Sequence, residues 1–485
     1  MPHILINNLT SKIENLPWDL EAVLKKNLSY EVPGAFFSPA MRNHGWDGRK
    51  YLYKKGMFPT GLLRRVFDFC DGYNLPTTFE DLREKPKQGP PIPFSGELDH
   101  YSQQVPLEKA ILAERGILRL PTGTGKTRLL CAIAARLNVP TLITTHRLDI
   151  LEQIVEQAQD LLGVPIGVVQ GKVREVRNIT VGMLPSLVSC LDEGAHKRDA
   201  TEVAQFVETA GLWICDEAHH SASDTYFMLA NRCFNAYWRY GLTATPYRTD
   251  NKTLLIEACL ASKIVDITAS DLIERKRLSR PYIWFIEWNA GQQKKQASVV
   301  KQNIALSGTE RYRKIKEEAI VRHPERNRII VDIAVRRVKK GRTVLIAVTT
   351  IEHSRILYDL LKARLSEDVL RIAEGSVPKE IRKQYLQQLN EKKIMCVIAT
   401  SVFGEGVNVP ELSCLINATG RESSVDTFQL VGRALRRTKT KSKTIVIDFW
   451  DKIRYFQKSA QHRWDALSEE PKFILKRISS ESLHV

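Results

Sequence analysis

Short apolar runs alternate with stretches of helical periodicity along most of this 485-residue chain, and no other feature limits its fold as strongly. One series of apolar runs occupies residues 116–120, 141–145, 212–215 and 237–243. A second series occupies residues 343–348, 369–372, 394–399, 414–417 and 444–447. Strands that alternate with helices favour a parallel sheet covered by helices on both faces. The sequence therefore predicts two α/β domains in tandem, each built on a parallel sheet, that meet near residues 250–275.

A proline-rich stretch marks the clearest boundary in the chain. Residues 84–97 contain four prolines and two glycines, a composition typical of a stiff and extended linker. We expect residues 1–83 to form a small α+β accessory domain before this linker. After it, we place a first α/β domain at residues 98–265, a second at 266–455 and a C-terminal extension at 456–485.

Composition narrows the class of partner and excludes several kinds of protein. Basic residues number 72 and acidic ones 55, so the formal net charge is 72 − 55 = +17, which favours nucleic acid over an acidic membrane surface. A hydrophobic content of 43% excludes wholesale disorder. No run approaches the roughly 18 apolar residues of a membrane span. The eight cysteines form no C-x-x-C pair, so neither a zinc site nor a disulfide framework is expected. The amino terminus lacks signal-peptide features, and we expect a cytoplasmic protein.

A glycine-rich loop follows the first predicted strand of the α/β region and opens a helix, the context that a phosphate-binding P-loop requires. Lys126 would reach the β- and γ-phosphates, and the Thr127 hydroxyl would bind Mg²⁺. Leu120 stands where the general pattern has glycine. ATP and Mg²⁺ are therefore the predicted cofactors. The loop residues predicted to bind the nucleotide are Thr122, Gly123, Thr124, Gly125, Lys126 and Thr127.

Two adjacent carboxylates end the strand predicted at 212–215. Asp216 can hold the Mg²⁺ shell, and Glu217 can orient and deprotonate the water that attacks the γ-phosphate. Such a pair is common on protein surfaces, but its position after a buried strand and downstream of a P-loop favours catalysis. His219 and His220 follow closely, yet adjacent histidines at a helix start do not face each other, so we expect no metal site there.

The segment Asp216-Glu217-Ala218-His219 resembles the DEAH box of the superfamily 2 helicases, and further motifs of that family follow in the family's order. They are motif Ia at 145–153, motif III at 242–246, motif V at 399–410 and motif VI at 429–436. The resemblance covers the chain from about residue 100 to 450. It implies two RecA-like domains with ATP in the cleft between them, here preceded by the small α+β domain.

The resemblance also implies roles for single residues. Arg433 and Arg436 of motif VI would act as arginine fingers that stabilise the transferring phosphoryl group. A glutamine ahead of the P-loop would read adenine, and both Gln103 and Gln104 are candidates. Motif V would add Glu405, Gly406 and Asn408 to the nucleotide site. The residues that would couple ATP hydrolysis to the nucleic acid are His219, Thr243, Thr245 and Gln429.

Candidate DNA contacts lie in the N-terminal residues and in the loops that follow the strands. Residues 36–67 carry seven basic residues against one acid, with interleaved aromatics that suit phosphate neutralisation and base stacking. A small aromatic core with a solvated basic face is the other interpretation, and both are retained. His353 could equally be a helix-start histidine without a ligand. The predicted DNA-binding residues are Arg42, Trp46, Arg49, Lys50, His146, Arg147, Thr349, His353, Ser376 and Thr400.

The N-terminal residues narrow the predicted function. Residues 37–49 and 58–63 resemble the N-terminal domain of bacteriophage branch-migration helicases. We therefore predict an ATP-dependent DNA helicase or translocase that remodels branched DNA in recombination, repair and replication and acts as a monomer. If the chain is phage-encoded, it would work in the host cytoplasm. An RNA or RNA–DNA hybrid helicase and a duplex translocase that never separates strands stay open as alternatives.

Overall fold

The structure, a computed structural model, divides into two compact units, Met1–Ile267 and Thr268–Val485. Each unit is built around one large sheet, and the first unit also carries smaller ones. In the part of the chain that the structure describes, no helix is long and apolar enough to cross a membrane. The described residues are 1–32, 34–35, 41, 45–192, 198–218, 223–244, 253–288, 308–400, 409–420, 424–438 and 441–484.

The first 83 residues form a small α+β layer. Its strands are β1 (His3–Ile6), β2 (Thr10–Glu14), β3 (Ser29–Glu31), β4 (Arg49–Tyr51), β5 (Met57–Pro59) and β6 (Thr78–Asp81), and its helices are α1 (Trp18–Asn27) and α2 (Leu63–Gly72). Four strands form a sheet in the order β5-β2-β1-β6, and β3 pairs with β4. Buried Ile4 and Ile13 alternate with less buried neighbours, because a strand points successive side chains to opposite faces. They belong to the same apolar cluster as Val66 and Phe69 of α2.

An eight-stranded sheet forms the centre of the first unit. Its strands are β7 (Arg115–Arg119), β8 (Thr141–Thr145), β9 (Ile166–Gln170), β10 (Val173–Glu175), β11 (Ile179–Met183), β12 (Leu212–Asp216), β13 (Trp238–Thr243) and β14 (Lys263–Asp266). Their order is β10-β9-β11-β8-β12-β13-β7-β14, and every neighbouring pair is parallel except β10 with β9. The carboxyl ends of β7, β8, β12 and β13 therefore meet at one edge of the sheet.

Helices between these strands cover the sheet. They are α3 (Val105–Ala113), α4 (Lys126–Leu137), α5 (Leu148–Leu162), α6 (Leu184–Leu191), α7 (Arg198–Thr209), α8 (Asp224–Arg232) and α9 (Thr253–Leu260). The proline-rich stretch 84–97 is extended and is hydrogen-bonded to two of them. The Ile92 N–H donates to the Ala135 carbonyl at 2.9 Å, and the Ser95 N–H donates to the Leu161 carbonyl at 2.7 Å. Both carbonyls lie in last turns of helices, where no partner exists within the helix. This stretch therefore straps α4 and α5 instead of hanging free.

A buried arginine joins the N-terminal layer to the large sheet. Arg115, at the start of β7, is 7% exposed. Its guanidinium donates to the backbone carbonyls of Asn8 at 2.6 Å, Tyr237 at 2.8 Å and Ala236 at 3.1 Å, and also to the Asn8 side chain at 2.8 Å. The apolar cluster of the layer also continues into the large sheet. Residues 1–83 are therefore packed as part of the first unit.

A seven-stranded sheet forms the second unit. Its strands are β15 (Arg280–Glu287), β16 (Val344–Ala347), β17 (Leu370–Ala373), β18 (Cys396–Ala399), β19 (Cys414–Asn417), β20 (Lys443–Phe449) and β21 (Ile474–Ser479). The order is β17-β18-β16-β19-β20-β15-β21, with every pair parallel. Its helices are α10 (Ala269–Glu274), α11 (Gly308–Lys316), α12 (Pro324–Lys339), α13 (Ile351–Lys362), α14 (Lys379–Asn390), α15 (Ser424–Ala434) and α16 (Arg454–Ser468). The predicted fold class, tandem parallel-sheet α/β domains, is confirmed.

The C-terminal residues complete this second sheet, so the separation of 456–485 as an extension was wrong. Strand β21 pairs with β15 from Tyr282 opposite Ile474 onward. Arg463 of α16 donates to Asp448 of β20 at 2.7 Å, and both side chains are about 2% exposed. The sequence did not show this, because β21 is an edge strand in which half of the residues are polar and the apolar periodicity is weak.

Replacing Arg115 tests how the N-terminal layer is held. Arg115→Met should lower the free energy of unfolding of the first unit by about 2–4 kcal/mol, because buried carbonyls lose their donor. Urea unfolding followed by tryptophan fluorescence measures this loss. The matched control is Arg64→Met, which removes a guanidinium that is 74% exposed and paired with Asp68. It should change stability by at most about 0.5 kcal/mol. Equal losses in the two variants would contradict the role given to Arg115.

Candidate active site

The P-loop lies at the carboxyl edge of the first sheet, between β7 and α4. Gly123 and Gly125 have φ of +91° and +79°, values that side chains rarely adopt. A Cβ on Gly125 would also lie 2.2 Å from Nε2 of Gln103, so glycine is required there twice over. The Thr124 hydroxyl donates to the Pro121 carbonyl at 2.9 Å and closes the turn. Lys126 and Thr127 then form the first turn of α4.

Gln103 is the glutamine that faces this loop. Its Nε2 donates to the Thr124 carbonyl at 2.8 Å, and its Oε1 accepts from the Asp99 N–H at 3.0 Å. Gln104 points away, because consecutive residues of a helical turn diverge. It is exposed and lies 3.2 Å from the His100 ring and 3.4 Å from Glu108. Of the two candidates, Gln104 was therefore wrong as a residue at the nucleotide loop.

The two predicted catalytic carboxylates lie beside the P-loop. Asp216 is the last residue of β12 and is 7% exposed. Glu217 follows with φ of +51°, which ends the strand and turns its side chain toward the loop. Its Oε1 lies 3.2 Å from Nζ of Lys126, and both side chains are about 13–14% exposed. Phosphate-binding cation and predicted base are thus direct neighbours.

Thr243 connects the P-loop strand to the carboxylate strand. Its side chain is fully buried at the end of β13, the strand between β12 and β7. The Thr243 carbonyl accepts from the Leu120 N–H at 2.9 Å, and Asp216 is in register with Leu242. A shift of β13 would therefore move both the loop and the carboxylate, which suits the predicted coupling role.

In the second unit, the arginines of motif VI lie at a helix end that is firmly held. Gln429 and Arg433 are on α15, and Arg436 follows it. The Lys441 ammonium donates to the Ala434 carbonyl at 2.9 Å and to the Leu412 carbonyl at 3.0 Å. Burial lowers the pKa of Lys441 to about 8 and also lowers the pKa of Arg436. Lys441 therefore supports the helix and does not reach phosphates.

His353 is not a DNA contact. Its side chain is fully buried, and its Nε2 lies 3.0 Å from Oδ1 of Asn327 on α12. Burial, with help from the nearby charge of Arg326, lowers the pKa of His353 to about 3, so the ring is neutral near pH 7. The prediction was wrong because the partner, 26 residues away, is invisible in the local sequence.

Trp46 and Arg49 are engaged in the N-terminal layer. Nε1 of Trp46 donates to the Arg49 carbonyl at 2.8 Å. The Arg49 guanidinium donates to the Ser29 hydroxyl at 2.8 Å and to Glu31 at 3.1 Å. These bonds fix the β3–β4 pair, so neither side chain is placed as an open phosphate contact, and the two predictions are corrected accordingly.

Lys50, Arg147 and Ser376 lie at the surface or partly so, each beside a carboxylate. An exposed ion pair such as Lys50 with Asp224 is weak and exchanges readily for a phosphate. These three residues stay predictions as DNA contacts. Their partners are Asp224 at 3.4 Å, Asp149 at 3.0 Å and Glu374 at 2.8 Å.

Thr349 and Thr400 lie at the carboxyl ends of β16 and β18, which are neighbours in the second sheet. Both hydroxyls are buried and have no hydrogen-bond partner in the described part of the chain. A buried unpaired hydroxyl costs about 1–3 kcal/mol, so a polar ligand would be favourable there. Their contact with DNA remains a prediction. The other predicted site residues, Arg42, His219, Thr245, Glu405, Gly406 and Asn408, lie outside the described residues.

Sequence reasoning missed Asp99, which places Gln103. The Asp99 carboxylate accepts from the Ser102 N–H at 2.9 Å, and its own N–H binds Oε1 of Gln103. An aspartate just before a helical turn is a common N-cap, and that signal was available in the sequence.

Comparisons with known proteins agree with this geometry. The family model "Type III restriction enzyme, res subunit" matches residues 99–248, and "Helicase conserved C-terminal domain" matches residues 325–438. The chain is 26% identical over 354 residues to a DNA 3'-5' translocase XPB2 of Sulfurisphaera tokodaii, covering 68% of this chain and 76% of the relative. It is 23% identical over 470 residues to the ATP-dependent DNA helicase uvsW of Enterobacteria phage T4, covering 90% and 88%.

Solved structures support the fold. A fragment of a putative HsdR subunit of a type I restriction enzyme from Vibrio vulnificus YJ016 superposes with a TM-score of 0.56 at 15% identity, covering 97% of this chain and 84% of that one. A P-loop, a DEAH-type carboxylate pair and two parallel-sheet units thus define an ATP-dependent helicase. The chain belongs to the superfamily 2 helicases.

The buried state of His353 predicts a pH dependence of stability. Its pKa is about 3 in the folded chain against an ordinary value of 6.5, so the unfolded chain binds a proton more readily. Stability is complete above about pH 6.5 and falls as the pH drops toward 3. Between pH 7 and 5 the loss should be roughly 2 kcal/mol for the second unit. Urea unfolding of the wild type and of His353→Gln measures it, and an equal slope in both would contradict the assignment.

Proposed function

We propose that this helicase uses ATP hydrolysis to move along DNA and to remodel branched DNA, such as Holliday junctions and replication forks. The observation that carries the proposal is the 3.2 Å contact between Lys126 and Glu217 at the P-loop. A DNA translocase and a DNA helicase among the relatives support DNA as the substrate, and so does the net charge of +17.

Residues of the first unit account for hydrolysis. Glu217 holds Lys126 in place of a phosphate, so nucleotide binding would transfer Lys126 to the phosphates and release the carboxylate as a base. Thr127 and Asp216 would hold Mg²⁺, which neutralises charge that develops on the γ-phosphate.

Residues of the second unit would complete the site. Arg433 and Arg436 are carried at the end of a helix that Lys441 fixes, and a fixed guanidinium stabilises transition-state charge at little reorganisation cost. We propose that they stabilise charge on the γ-phosphate of bound ATP during hydrolysis. Alternate closure and opening would then step the protein along a strand.

The N-terminal layer would contribute duplex contacts. Lys50 is an exposed cation of this layer. Because Arg115 ties the layer to the first sheet, any DNA held there would move with the ATP-binding unit. This arrangement suits an accessory DNA-binding role for residues 1–83.

Two substitutions test the ATP site. Lys126→Ala should lower kcat for DNA-stimulated ATP hydrolysis by about 10²–10³-fold, because a phosphate-stabilising charge is lost. Glu217→Gln should lower kcat by about 10²–10⁴-fold while nucleotide binding persists, because only the base is lost. The matched controls are Lys109→Ala and Glu156→Gln, exposed residues of α3 and α5. Normal ATP hydrolysis by either Lys126→Ala or Glu217→Gln would contradict the role proposed for that residue.

A substrate panel tests the branched-DNA role. ATPase stimulation and strand displacement should be greatest with forks and Holliday junctions, intermediate with single-stranded DNA and smallest with RNA. Binding should weaken steeply between 50 and 200 mM salt, by about 10³-fold if some six phosphates are neutralised. Stimulation by RNA equal to that by forks would favour an RNA helicase. Stimulation by duplex DNA without strand displacement would favour a translocase that leaves strands paired.

A further inference from the structure

His146 lies next to Glu217 at the carboxyl edge of the first sheet. Thr144 of β8 is in register with Cys215 of the neighbouring parallel strand β12. His146 and Glu217 each lie two residues beyond this pair, so both lie at the carboxyl edge where these neighbouring strands end. Nδ1 of His146 and Oε2 of Glu217 are both shut off from solvent. The histidine predicted as a DNA contact therefore lies at the same edge of the sheet as the predicted ATP site.

Charge confirms that the two side chains influence each other. Burial lowers the pKa of the His146 ring, while the negative charge of Glu217 acts in the opposite direction. Arg147 also lowers and Asp149 also raises the pKa of His146. The His146 ring therefore lies within electrostatic range of the Glu217 carboxylate.

The residue after His146 is predicted to contact nucleic acid. Arg147 pairs with Asp149 at 3.0 Å in the first turn of α5, in a strand-end loop of the kind that binds phosphates. His146 is therefore a single peptide bond away from a predicted nucleic-acid contact. A conformational change in the loop at residues 146–149 would therefore also move the His146 ring.

We propose that His146 is a positioning residue that orients the Glu217 carboxylate for attack by water and transmits the occupancy of the 146–149 loop to the ATP site. Once phosphates attract Lys126, the Glu217 carboxylate loses the cation that holds it. An imidazole N–H can then hold the carboxylate through a hydrogen bond. This inference rests on the proposed role of Glu217 as the base.

The test compares His146→Ala, His146→Gln and Arg147→Ala with the wild type. ATP turnover is measured with and without saturating single-stranded DNA, together with the DNA concentration for half-maximal stimulation. Binding of a fluorescent ATP analogue and the thermal midpoint show whether each variant is folded. His146→Ala should lower kcat at saturating DNA by about 10–100-fold, with half-maximal DNA concentration changed less than two-fold. His146→Gln, which keeps a donor, should recover at least a third of the lost turnover. Arg147→Ala should instead raise the half-maximal DNA concentration.

Two outcomes would overturn the inference. One is a normal kcat for His146→Ala at saturating DNA combined with a weaker DNA affinity, which would make His146 only a DNA contact. The other is a further loss of single-turnover rate when His146→Ala is added to Glu217→Gln, since residues that act through one group do not multiply their effects. Normal turnover by Glu217→Gln alone would instead refute the proposed base, and so the two failures are distinguishable.

Discussion

Parallel pairing of four strands in the order β8-β12-β13-β7 is the constraint on which the active site depends. Parallel strands end at one edge, so this order collects the P-loop, the carboxylate pair, Thr243 and the loop at His146, which are far apart in sequence. Glu217 turns at the edge because its φ is positive, and Lys126 meets it from the P-loop, which follows β7 two strands away. The order of the strands thus brings the site residues together, and local turns then orient their side chains.

Two buried arginines show how the first unit is held together beneath this edge. Arg115 and Arg239 are in register on β7 and β13, and both donate to backbone carbonyls. Burial lowers the pKa of each guanidinium, and each is stabilised by several carbonyl dipoles. Arg115 reaches residue 8, so the N-terminal layer is anchored at the opposite, amino end of these strands. DNA contacts in that layer would therefore be remote from the P-loop yet move with it.

Local patterns predicted the strands, the P-loop and the carboxylate pair, because each depends on residues within a few positions of one another. The choice between Gln103 and Gln104, and the fates of His353 and Arg49, depend on partners elsewhere in the fold. Asn327 forms a hydrogen bond with the buried His353 ring, and the Ser29 hydroxyl accepts a hydrogen bond from Arg49. Whether a polar side chain is free or buried is decided by tertiary contacts, which a single sequence does not display. The total net charge favours a nucleic-acid partner, but some of the basic side chains, such as Arg49, form hydrogen bonds that hold the fold together.

The contact of Lys126 with Glu217 also implies an order of events. In the proposed mechanism Glu217 stays paired with Lys126 until nucleotide phosphates attract the lysine, so hydrolysis would begin only after ATP binds. ATP phosphates carry several negative charges and compete effectively for one lysine against one carboxylate. In that mechanism the mostly buried Glu217 carboxylate, once released by Lys126, lies near the His146 ring, which would orient it. A base that is freed by nucleotide and aligned through a nucleic-acid loop would link hydrolysis to the presence of both ligands.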